Sequence, residues 1–302
     1  MEKKIISLNE LTGDDIRSII DLALDIKNNP EPYRNRLNGK SLFLLFQKTS
    51  TRTRVAFELG MKGLGGDTVV MDWDRSNFAI SPIEYETRFL AKVFDCILAR
   101  LIKNEDMMKL ARSSDVPVIN ACDNLYHPSQ ALADLMTILE IKGSYNTSLC
   151  YVGVHNNVVN SLIFGCDKLG VRLILVTPIR DEVPGEVSEC MKKSSFIEET
   201  LDIKEASKCC EFIYTDTWIN MELFNREEYR AEQEERVRKM MPYQINRGLL
   251  QGSSAYIMHD MPVHPGYEID EYSIVSERSL IFRQAENRLY TARALLLSLL
   301  GG

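Results

Sequence analysis

A short apolar run followed at once by hydroxyl and guanidinium groups constrains the fold of this chain most. Residues 42–46 are five consecutive bulky apolar residues, which is typical of a strand buried in a parallel sheet. Beyond Arg54, apolar residues recur at roughly helical spacing until Gly63, so the polar cluster lies in a turn between a strand and a helix. That cluster consists of Ser50, Thr51, Arg52, Thr53 and Arg54.

The position of this cluster at a helix start favours the binding of an anion. The first N–H groups of a helix lack partners and carry the positive end of its dipole. Hydroxyl groups and a guanidinium would add charge-assisted hydrogen bonds to a phosphate. A plain helix start capped by Ser or Thr uses some of the same residues, but two arginines among three hydroxyls favour a phosphate site.

Other apolar runs repeat this alternation of buried strand and helix. They cover residues 68–71, 96–99, 116–121, 149–154, 173–176, 212–214 and 256–258, and an amphipathic helix is predicted over residues 7–27. Strands that alternate with helices predict parallel sheets covered by helices. Gly143 and Ser144 mark a hinge, and 302 residues suffice for two cores. We therefore predict an α/β fold with two doubly wound parallel-sheet domains, residues 1–143 and 144–282.

Composition disfavours several classes of partner. With 36 basic and 43 acidic residues the net charge is −7, which disfavours nucleic acid and anionic membranes. Neither half carries the glycine fingerprint of a dinucleotide site, and seven cysteines without a C-x-x-C pair predict reduced thiols rather than a metal site. The start of the chain lacks the apolar segment of a signal peptide, and no apolar run is long enough to span a bilayer. We expect a cytoplasmic, disulfide-free protein.

Two further polar side chains lie beside predicted strands. Arg100 ends the run at residues 96–99, and the carboxyl end of a parallel strand points into the crevice where such sheets bind ligands. His127 precedes Pro128 at the start of a predicted helix that ends at Lys142. A His-Pro pair can equally be a simple stop and cap, so both a ligand role and a structural role stay open for His127.

Several motifs together resemble those of the aspartate and ornithine carbamoyltransferases. Residues 50–54 read S-T-R-T-R, the carbamoyl phosphate signature of that family. His127 and Gln130 match its H-P-x-Q motif, and Arg100 matches the arginine that ends the preceding strand. Arg288 closes an intact Q-A-E-N-R motif, although taken alone it could form a helix-start salt bridge. The resemblance covers essentially the whole chain.

The resemblance implies a carbamoyl phosphate site in the cleft between the domains, with residues 283–302 forming a helix that packs back on the first domain. Donor binding is assigned to Ser50, Thr51, Arg52, Thr53, Arg100, His127, Gln130 and Arg288. The residues expected to act in catalysis are Arg52, Thr53, Arg100 and His127. The last three would point donors at the carbonyl oxygen, where negative charge grows when an amine attacks, while Gln130 would fix the carbamoyl nitrogen.

The second half carries the residues that the resemblance assigns to the acceptor, namely Asn157, Asp216, Asn220, Met221, Asp260 and Met261. Asn157 would bind the carboxylate of an amino acid, unless it caps the next helix. Asp216 would bind the α-ammonium group. Asn220 replaces the Ser of the D-x-W-x-S-M-G motif, and Asp260 replaces the Cys of the H-C-L-P motif. We expect Asp260 to attract a second ammonium group, although it adds negative charge near an anionic co-substrate.

The expected reaction moves the carbamoyl group of carbamoyl phosphate to the side-chain amine of an amino acid. Ornithine is the first choice, giving citrulline and phosphate within arginine metabolism; another diamino acid, acylated ornithine and aspartate stay open as acceptors. A catalytically silent protein that binds a ligand or regulates is the remaining alternative. The resemblance also implies a homotrimer or a multiple of trimers, in which the loop around Arg75 and Ser76 reaches a neighbouring subunit's site. It implies no metal or organic cofactor and no partners other than the small-molecule substrates.

Overall fold

Two five-stranded parallel sheets organise the computed structural model, which describes residues 3–219, 224 and 226–301. The first sheet contains β1 (Lys4–Ile5), β2 (Ser41–Phe46), β3 (Asp67–Asp72), β4 (Cys96–Arg100) and β5 (Val118–Cys122), in the spatial order β1-β5-β4-β2-β3. The second contains β6 (Ser148–His155), β7 (Arg172–Arg180), β8 (Ile197–Glu199), β9 (Phe212–Thr215) and β10 (Tyr256–His259), in the order β10-β9-β6-β7-β8. Every strand pairing is parallel, so the predicted fold class is confirmed.

Helices cover the sheets. Those of the described residues are α1 (Gly13–Asn28), α2 (Arg52–Gly63), α3 (Ile83–Val93), α4 (Asn104–Ser113), α5 (Pro128–Lys142), α6 (Asn157–Leu169), α7 (Gly185–Lys193), α8 (Ile203–Lys208), α9 (Arg230–Met240), α10 (Glu271–Ile274) and α11 (Ile281–Leu300). Each predicted apolar run forms a strand. The short strands β1 and β8 were not predicted, because two or three residues carry too little apolar pattern.

The helix predicted over residues 7–27 begins only at Gly13, so its predicted start was wrong. Thr12 caps it: the backbone N–H of Asp15 donates to the Thr12 hydroxyl at 3.1 Å, and the N–H of Thr12 donates to the Asp15 carboxylate at 3.0 Å. The preceding residues Leu8–Glu10 form a separate 3-10 turn capped by Ser7. Buried Leu8 continues the apolar spacing across this break, which explains why the helix was predicted to start too early.

The strand order reverses once in each sheet. After β2 the chain adds β3 on one side of β2, and then β4 and β5 on the other side. β2 and β4 are therefore neighbours, and the connections that follow them lead to opposite halves of the sheet. The second sheet repeats this arrangement at β6 and β9. A crevice forms outside the carboxyl ends of strands at such a point, which is a common ligand position in α/β sheets.

The last helix returns to the first half of the chain. It packs against α1, α2 and α5. Lys27 of α1 forms a 2.8 Å ion pair with Glu140 of α5 and donates to Asn287 of α11 at 2.8 Å. Gly143 ends α5 with a left-handed φ of 73°, a conformation that favours glycine. The domain boundary proposed at this residue stays a prediction.

The core and the thiols suit a protein folded without covalent cross-links. One apolar core connects α1, α5, α6 and α11. All seven cysteines are free; five are buried, Cys190 is half-buried and Cys209 is exposed. Within the residues that the structure describes, no helix is long and apolar enough to cross a membrane.

Candidate active site

A cavity of about 520 Å³ lies between the carboxyl ends of the two sheets. Its wall includes the predicted donor residues Ser50, Thr51, Arg52, Thr53, Arg100, His127 and Arg288. It also includes the predicted acceptor residues Asn157, Asp216, Asp260 and Met261. Asn220 and Met221 lie outside the described residues. The same cavity therefore contains most of both predicted half-sites.

The donor side is built by the turn from β2 into α2 and by the end of β4. Arg52 is the first residue of α2, and the preceding Thr51 makes no side-chain capping hydrogen bond. Its hydroxyl is therefore not used as a plain helix cap, the alternative considered for this stretch. Arg100 ends β4 beside it, because β2 and β4 are adjacent at the strand-order reversal. The helix N-terminus and both guanidinium groups serve the same cavity.

Three buried or half-buried arginines give the donor side its charge. Burial lowers the pKa of Arg288 to about 10, which still leaves it a cation at neutral pH. Its guanidinium donates to the Thr53 hydroxyl at 2.5 Å, which joins α11 to α2. The Nε atoms of Arg52 and Arg100 are buried without a partner among the described residues. Such a set is suited to a multiply charged anion.

His127 is a buried, neutral imidazole on the same wall. Burial, reinforced by Arg288, Arg100 and Arg52, holds the pKa of His127 well below its ordinary value. Its backbone N–H donates to Ser161 at 2.8 Å, and its Nδ1 lies 3.4 Å from the Ser129 hydroxyl. If Ser129 donates to Nδ1, the ring proton is on Nε2, and Nε2–H can donate a hydrogen bond to a ligand. His127 is the N-cap residue of α5 and Pro128 its first residue, as the cap alternative had it, but the His127 side chain makes no capping hydrogen bond and lines the cavity.

Gln130 is not part of the cavity wall. Its amide nitrogen donates to the buried carboxylate of Asp134 at 2.7 Å, and its Oε1 is buried without a partner in the described part of the chain. Burial raises the pKa of Asp134 to about 7, although Gln284 and Tyr214 also donate to this carboxylate. The predicted contact between Gln130 and the carbamoyl nitrogen stays a prediction.

The acceptor side begins where β6 enters α6. Asn156 caps this helix, since its Oδ1 accepts the N–H groups of Val158 at 3.0 Å and Val159 at 3.3 Å. The alternative that Asn157 is the cap is therefore wrong by one residue. Asn157 lines the cavity and donates to the backbone carbonyl of Asp123 at 2.6 Å.

Asp216 follows β9, the neighbour of β6. Its two oxygens accept hydrogen bonds from the Asn156 side chain at 2.6 Å and from the backbone N–H of Thr217 at 2.6 Å. These donors stabilise the charged form of a carboxylate. A fixed negative charge thus faces the arginines across the cavity.

A turn after β10 supplies Asp260 and Met261. Met261 has a φ of +62° and precedes a cis peptide bond to Pro262. His259 accepts the N–H of Met261 on Nδ1 at 2.8 Å, and its Nε2 lies 3.1 Å from Glu268. Although burial opposes it, hydrogen bonding to His259 and His264 lowers the pKa of Glu268 to about 2. The buried Glu268 therefore holds the turn as a carboxylate.

Asp216, His259 and Asp260 lie close enough to be considered as metal ligands, with one ligand atom each within 4.8 Å of the others. The Nδ1 lone pair of His259 is already used by the Met261 N–H. Two carboxylates then remain, fewer than the three protein ligands of a typical catalytic metal site. The residues do not fit a metal centre.

Two family models match this chain almost from end to end. Residues 3–140 match the carbamoyl-P binding domain of aspartate/ornithine carbamoyltransferase, and residues 145–299 match the Asp/Orn binding domain. The chain belongs to the aspartate/ornithine carbamoyltransferase family. The resemblance drawn from the motifs is confirmed, and with it the expectation of a transferase enzyme.

Individual members of the carbamoyltransferase family are similar over their whole length. The ornithine carbamoyltransferase of Archaeoglobus fulgidus is 36% identical, over 99% of this chain and 98% of its own. That of Bacillus subtilis is 35% identical, over 99% and 94%. The solved ornithine carbamoyltransferase of Pyrococcus furiosus superposes with a TM-score of 0.91 at 34% identity, over 99% of this chain and 97% of that one. That of Thermus thermophilus gives 0.88 at 33%, over 99% of both.

Some cavity residues of this carbamoyltransferase were not predicted. Asn156, Asp123, Asp181 and Arg236 all line the cavity. Arg236 of α9 forms a 2.8 Å ion pair with Asp181 at the cavity rim. Only Asn156 had a signal in the sequence, as the first residue of an Asn-Asn pair after a strand.

The loop around Arg75 and Ser76 lies away from this chain's own cavity. Arg75 is exposed, and the Ser76 hydroxyl donates to the carbonyl of Trp73 at 2.7 Å. Neither residue lines the cavity. A role in catalysis would therefore require another subunit.

Proposed function

We propose that the protein transfers the carbamoyl group of carbamoyl phosphate to the side-chain amine of an amino acid, with ornithine as first choice, giving citrulline and phosphate. The observation that carries this proposal is one cavity with a buried arginine cluster on one wall and the charged Asp216 on the other. The relatives named above as ornithine carbamoyltransferases support the choice of ornithine.

The donor phosphate would be held at the start of α2. The free N–H groups of that helix, Ser50, Thr51 and the guanidinium groups of Arg52 and Arg288 can form charge-assisted hydrogen bonds to a dianion. Such contacts place the carbonyl carbon toward the second domain, where the acceptor lies. Orientation of two bound substrates supplies much of the rate acceleration in a transfer of this kind.

The carbamoyl carbonyl would be activated by Thr53, Arg100 and His127. As the amine attacks, negative charge develops on the carbonyl oxygen, and preorganised donors stabilise it. The neutral state of His127 suits this role, because it can donate a hydrogen bond without a second strong positive charge beside three arginines. Gln130, held by Asp134, is proposed to accept from the carbamoyl nitrogen with its unpartnered Oε1.

The acceptor would be held by its α-groups. Asp216 binds the α-ammonium group, while Asn157, with Asn220 and Met221, binds the carboxylate. The carboxyl groups of Asp216 and Asp260 on this wall offer no positive charge to the side-chain carboxylate of aspartate, which disfavours aspartate as the acceptor. We also propose a cytoplasmic location, where seven free thiols stay reduced, and a part in arginine metabolism.

A panel of amines tests this function. Purified protein is mixed with carbamoyl phosphate and, in separate reactions, ornithine, 2,4-diaminobutyrate, lysine, acetylornithine or aspartate, and both phosphate and the ureido product are measured. Ornithine should give the highest kcat/KM, with phosphate and citrulline formed in equal amounts. If every amine gives only the background rate while carbamoyl phosphate still binds, the protein is the catalytically silent alternative.

We further propose a homotrimer in which each cavity receives Arg75 and Ser76 from a neighbour. Exposed apolar side chains on the first domain support a contact between subunits: Val55, Leu59, Val69, Met71 and Ile80. They lie on α2, on the edge strand β3 and in the loop after Ser76. Light scattering should give the mass of three chains.

Complementation between two inactive variants tests the shared site. Arg52→Ala inactivates the cavity of its own subunit. Arg75→Ala combined with Ser76→Ala inactivates the loop that enters the neighbouring subunit's cavity. In a co-expressed mixture, about one quarter of the sites combine an intact cavity with an intact loop, so about one quarter of the wild-type activity should return. A monomeric mass, or a mixture no more active than its components, would show that the cavity works alone.

A further inference from the structure

Asp260 and Asp216 are two carboxylates that share one wall of the cavity. With His259, each places one side-chain atom within 4.8 Å of the others. The Asp260 side chain is 11% exposed, and Asp216 is buried. The way protons are distributed over this pair determines which acceptor the cavity can hold.

Asp216 is the member of the pair that the fold supplies with hydrogen-bond donors. Both of its oxygens accept hydrogen bonds, one from Asn156 at 2.6 Å and one from the N–H of Thr217 at 2.6 Å. Asn156 is the cap of α6, and Thr217 follows the end of β9 by two residues. The fold therefore supplies both oxygens of Asp216 with donors, which a carboxylate accepts and a protonated carboxyl group would lose in part.

Asp260 lacks such donors. Its Oδ1 is buried and has no hydrogen-bond partner among the residues described. His259 Nδ1 lies 3.5 Å away, but that nitrogen accepts the N–H of Met261 and cannot donate a proton. The other ring nitrogen of His259 faces Glu268 at 3.1 Å. Asp260 and Asp216 place side-chain oxygens within 4.8 Å of each other, close enough to share a proton.

The surrounding charges act on this proton from several elements. Burial, followed by the charge of Asp216, raises the pKa of Asp260 well above its ordinary value, and Asp134 of α5 adds to the effect. Arg288 of α11 opposes the shift, and Arg52 of α2 also faces Asp260 as a positive charge. Two carboxylates so close together hold one proton as a pair. In the free enzyme this proton is on Asp260.

We propose that Asp260 is the base that deprotonates the attacking nitrogen of the acceptor, an inference that rests on the proposed function. An acceptor with two ammonium groups displaces the shared proton to solvent and places one ammonium at each carboxylate. Asp260 then takes one N–H proton, and the freed lone pair forms a C–N bond to the carbamoyl carbon. The bond from that carbon to the bridging oxygen breaks, its electron pair leaves with phosphate, and the departing phosphate takes the second proton that the nitrogen loses. After product release the proton passes from Asp260 to solvent.

This arrangement defines the acceptor by its charge. A diamino acid brings two ammonium groups to two carboxylates. An acylated ornithine lacks the α-ammonium group that Asp216 needs, and a side chain that ends in a carboxylate has no ammonium group to displace the shared proton. The class of acceptor is thus an amino acid whose side chain ends in a basic amine.

The pH dependence of Asp260→Asn tests this role. At pH 7, kcat/KM for ornithine should fall about 10²-fold, the typical contribution of a general base. In the wild type, kcat/KM should stop rising above the pKa of the carboxylate pair. In Asp260→Asn it should keep rising, about tenfold per pH unit through pH 9, because only the free amine can react and its own pKa is about 10. A fall by the same factor at every pH would overturn the proposal.

A ligand and a second variant separate a base from a structural residue. Norvaline has the α-groups of ornithine but no side-chain amine, so its inhibition constant should stay within about twofold in Asp260→Asn if only the reacting nitrogen is affected. Asp260→Cys, which has the residue of the H-C-L-P motif, should also keep rising with pH and covers the case in which Asp260→Asn does not fold. Glu182→Gln is the matched control, since it removes an exposed carboxylate from the same cavity. It should leave the pH profile unchanged.

The outcomes distinguish this inference from the proposed function. If the wild type carbamoylates ornithine and both Asp260 variants retain its pH profile, the function stands and Asp260 is not the base. If the inhibition constant of norvaline rises in Asp260→Asn by the same factor as kcat/KM for ornithine falls, the residue only shapes the pocket, which also contradicts the proposal. If the wild type carbamoylates no amine, the function itself fails.

Discussion

Replacing Arg52 with alanine is expected to lower kcat/KM for carbamoyl phosphate by about 10³-fold, since two charge-assisted hydrogen bonds contribute about 4 kcal/mol together. The guanidinium begins α2, faces the cavity, and has a buried Nε without a partner among the described residues. Its loss leaves the phosphate with the remaining two arginines and the helix N–H groups. Steady-state kinetics with varied carbamoyl phosphate measure the effect, together with direct calorimetric titration of the donor.

Arg54→Ala is the matched control for Arg52. Arg54 is two residues further along the same helix, is half exposed, and pairs with Glu58 at 3.5 Å and Asp72 at 3.3 Å. It does not line the cavity. Its loss should change kcat/KM less than about threefold, as expected for an exposed ion pair. An Arg52→Ala enzyme that saturates normally with carbamoyl phosphate would contradict the donor assignment.

Asp216→Asn is expected to lower kcat/KM for ornithine by about 10²-fold to 10³-fold while leaving the affinity for carbamoyl phosphate unchanged. The substitution removes the charge that binds the α-ammonium group. Both oxygens of the Asp216 carboxylate accept hydrogen bonds, one from the Asn156 side chain and one from the backbone N–H of Thr217. In Asp216→Asn one of these oxygens becomes an NH₂ group, so one of the two donors then faces another donor. Calorimetric titration with carbamoyl phosphate is the internal control. Equal losses for donor and acceptor would show that Asp216 supports the cavity as a whole.

The position of the cluster at residues 50–54 could be predicted because these residues are local in sequence and their place follows from topology. A strand, a polar turn and a helix in succession fix residues 50–54 at a helix start. Arg100 joins them because the strand-order reversal makes β4 the neighbour of β2. The alternation of strands and helices indicated parallel sheets, and the reversal then places both clusters at one edge.

Other features depend on details that sequence patterns do not carry. Strand β6 extends to His155, one residue beyond the predicted run, and this shift makes Asn156 rather than Asn157 the cap of α6. Gln130 follows His127 by three residues, yet its side chain is bound to Asp134 and does not line the cavity. The spacing of residues predicts which face of a helix a side chain lies on, but it does not predict which group that side chain forms a hydrogen bond with.

The chemical effect of the departures from the family motifs could be inferred only from three-dimensional contacts. Asp260 in place of Cys was visible in the sequence, but its lack of donors depends on His259 being bound to Met261 and Glu268. Glu268 lies nine residues from His259 and has no periodic relation to it. A buried carboxylate without donors, next to a charged one, is a chemical state that only the packed structure can define.

The binding of a two-substrate compound tests most directly whether one cavity holds donor and acceptor together. In this compound a phosphonoacetyl group is joined to the side-chain nitrogen of ornithine, so that it occupies both half-sites without reacting. By calorimetry it should bind more than about 10²-fold more tightly than phosphonoacetate alone, because linking makes the second contact intramolecular. Arg52→Ala and Asp216→Asn should each remove most of that advantage. If the compound binds no more tightly than phosphonoacetate, the two half-sites do not form one active site, and the account is wrong.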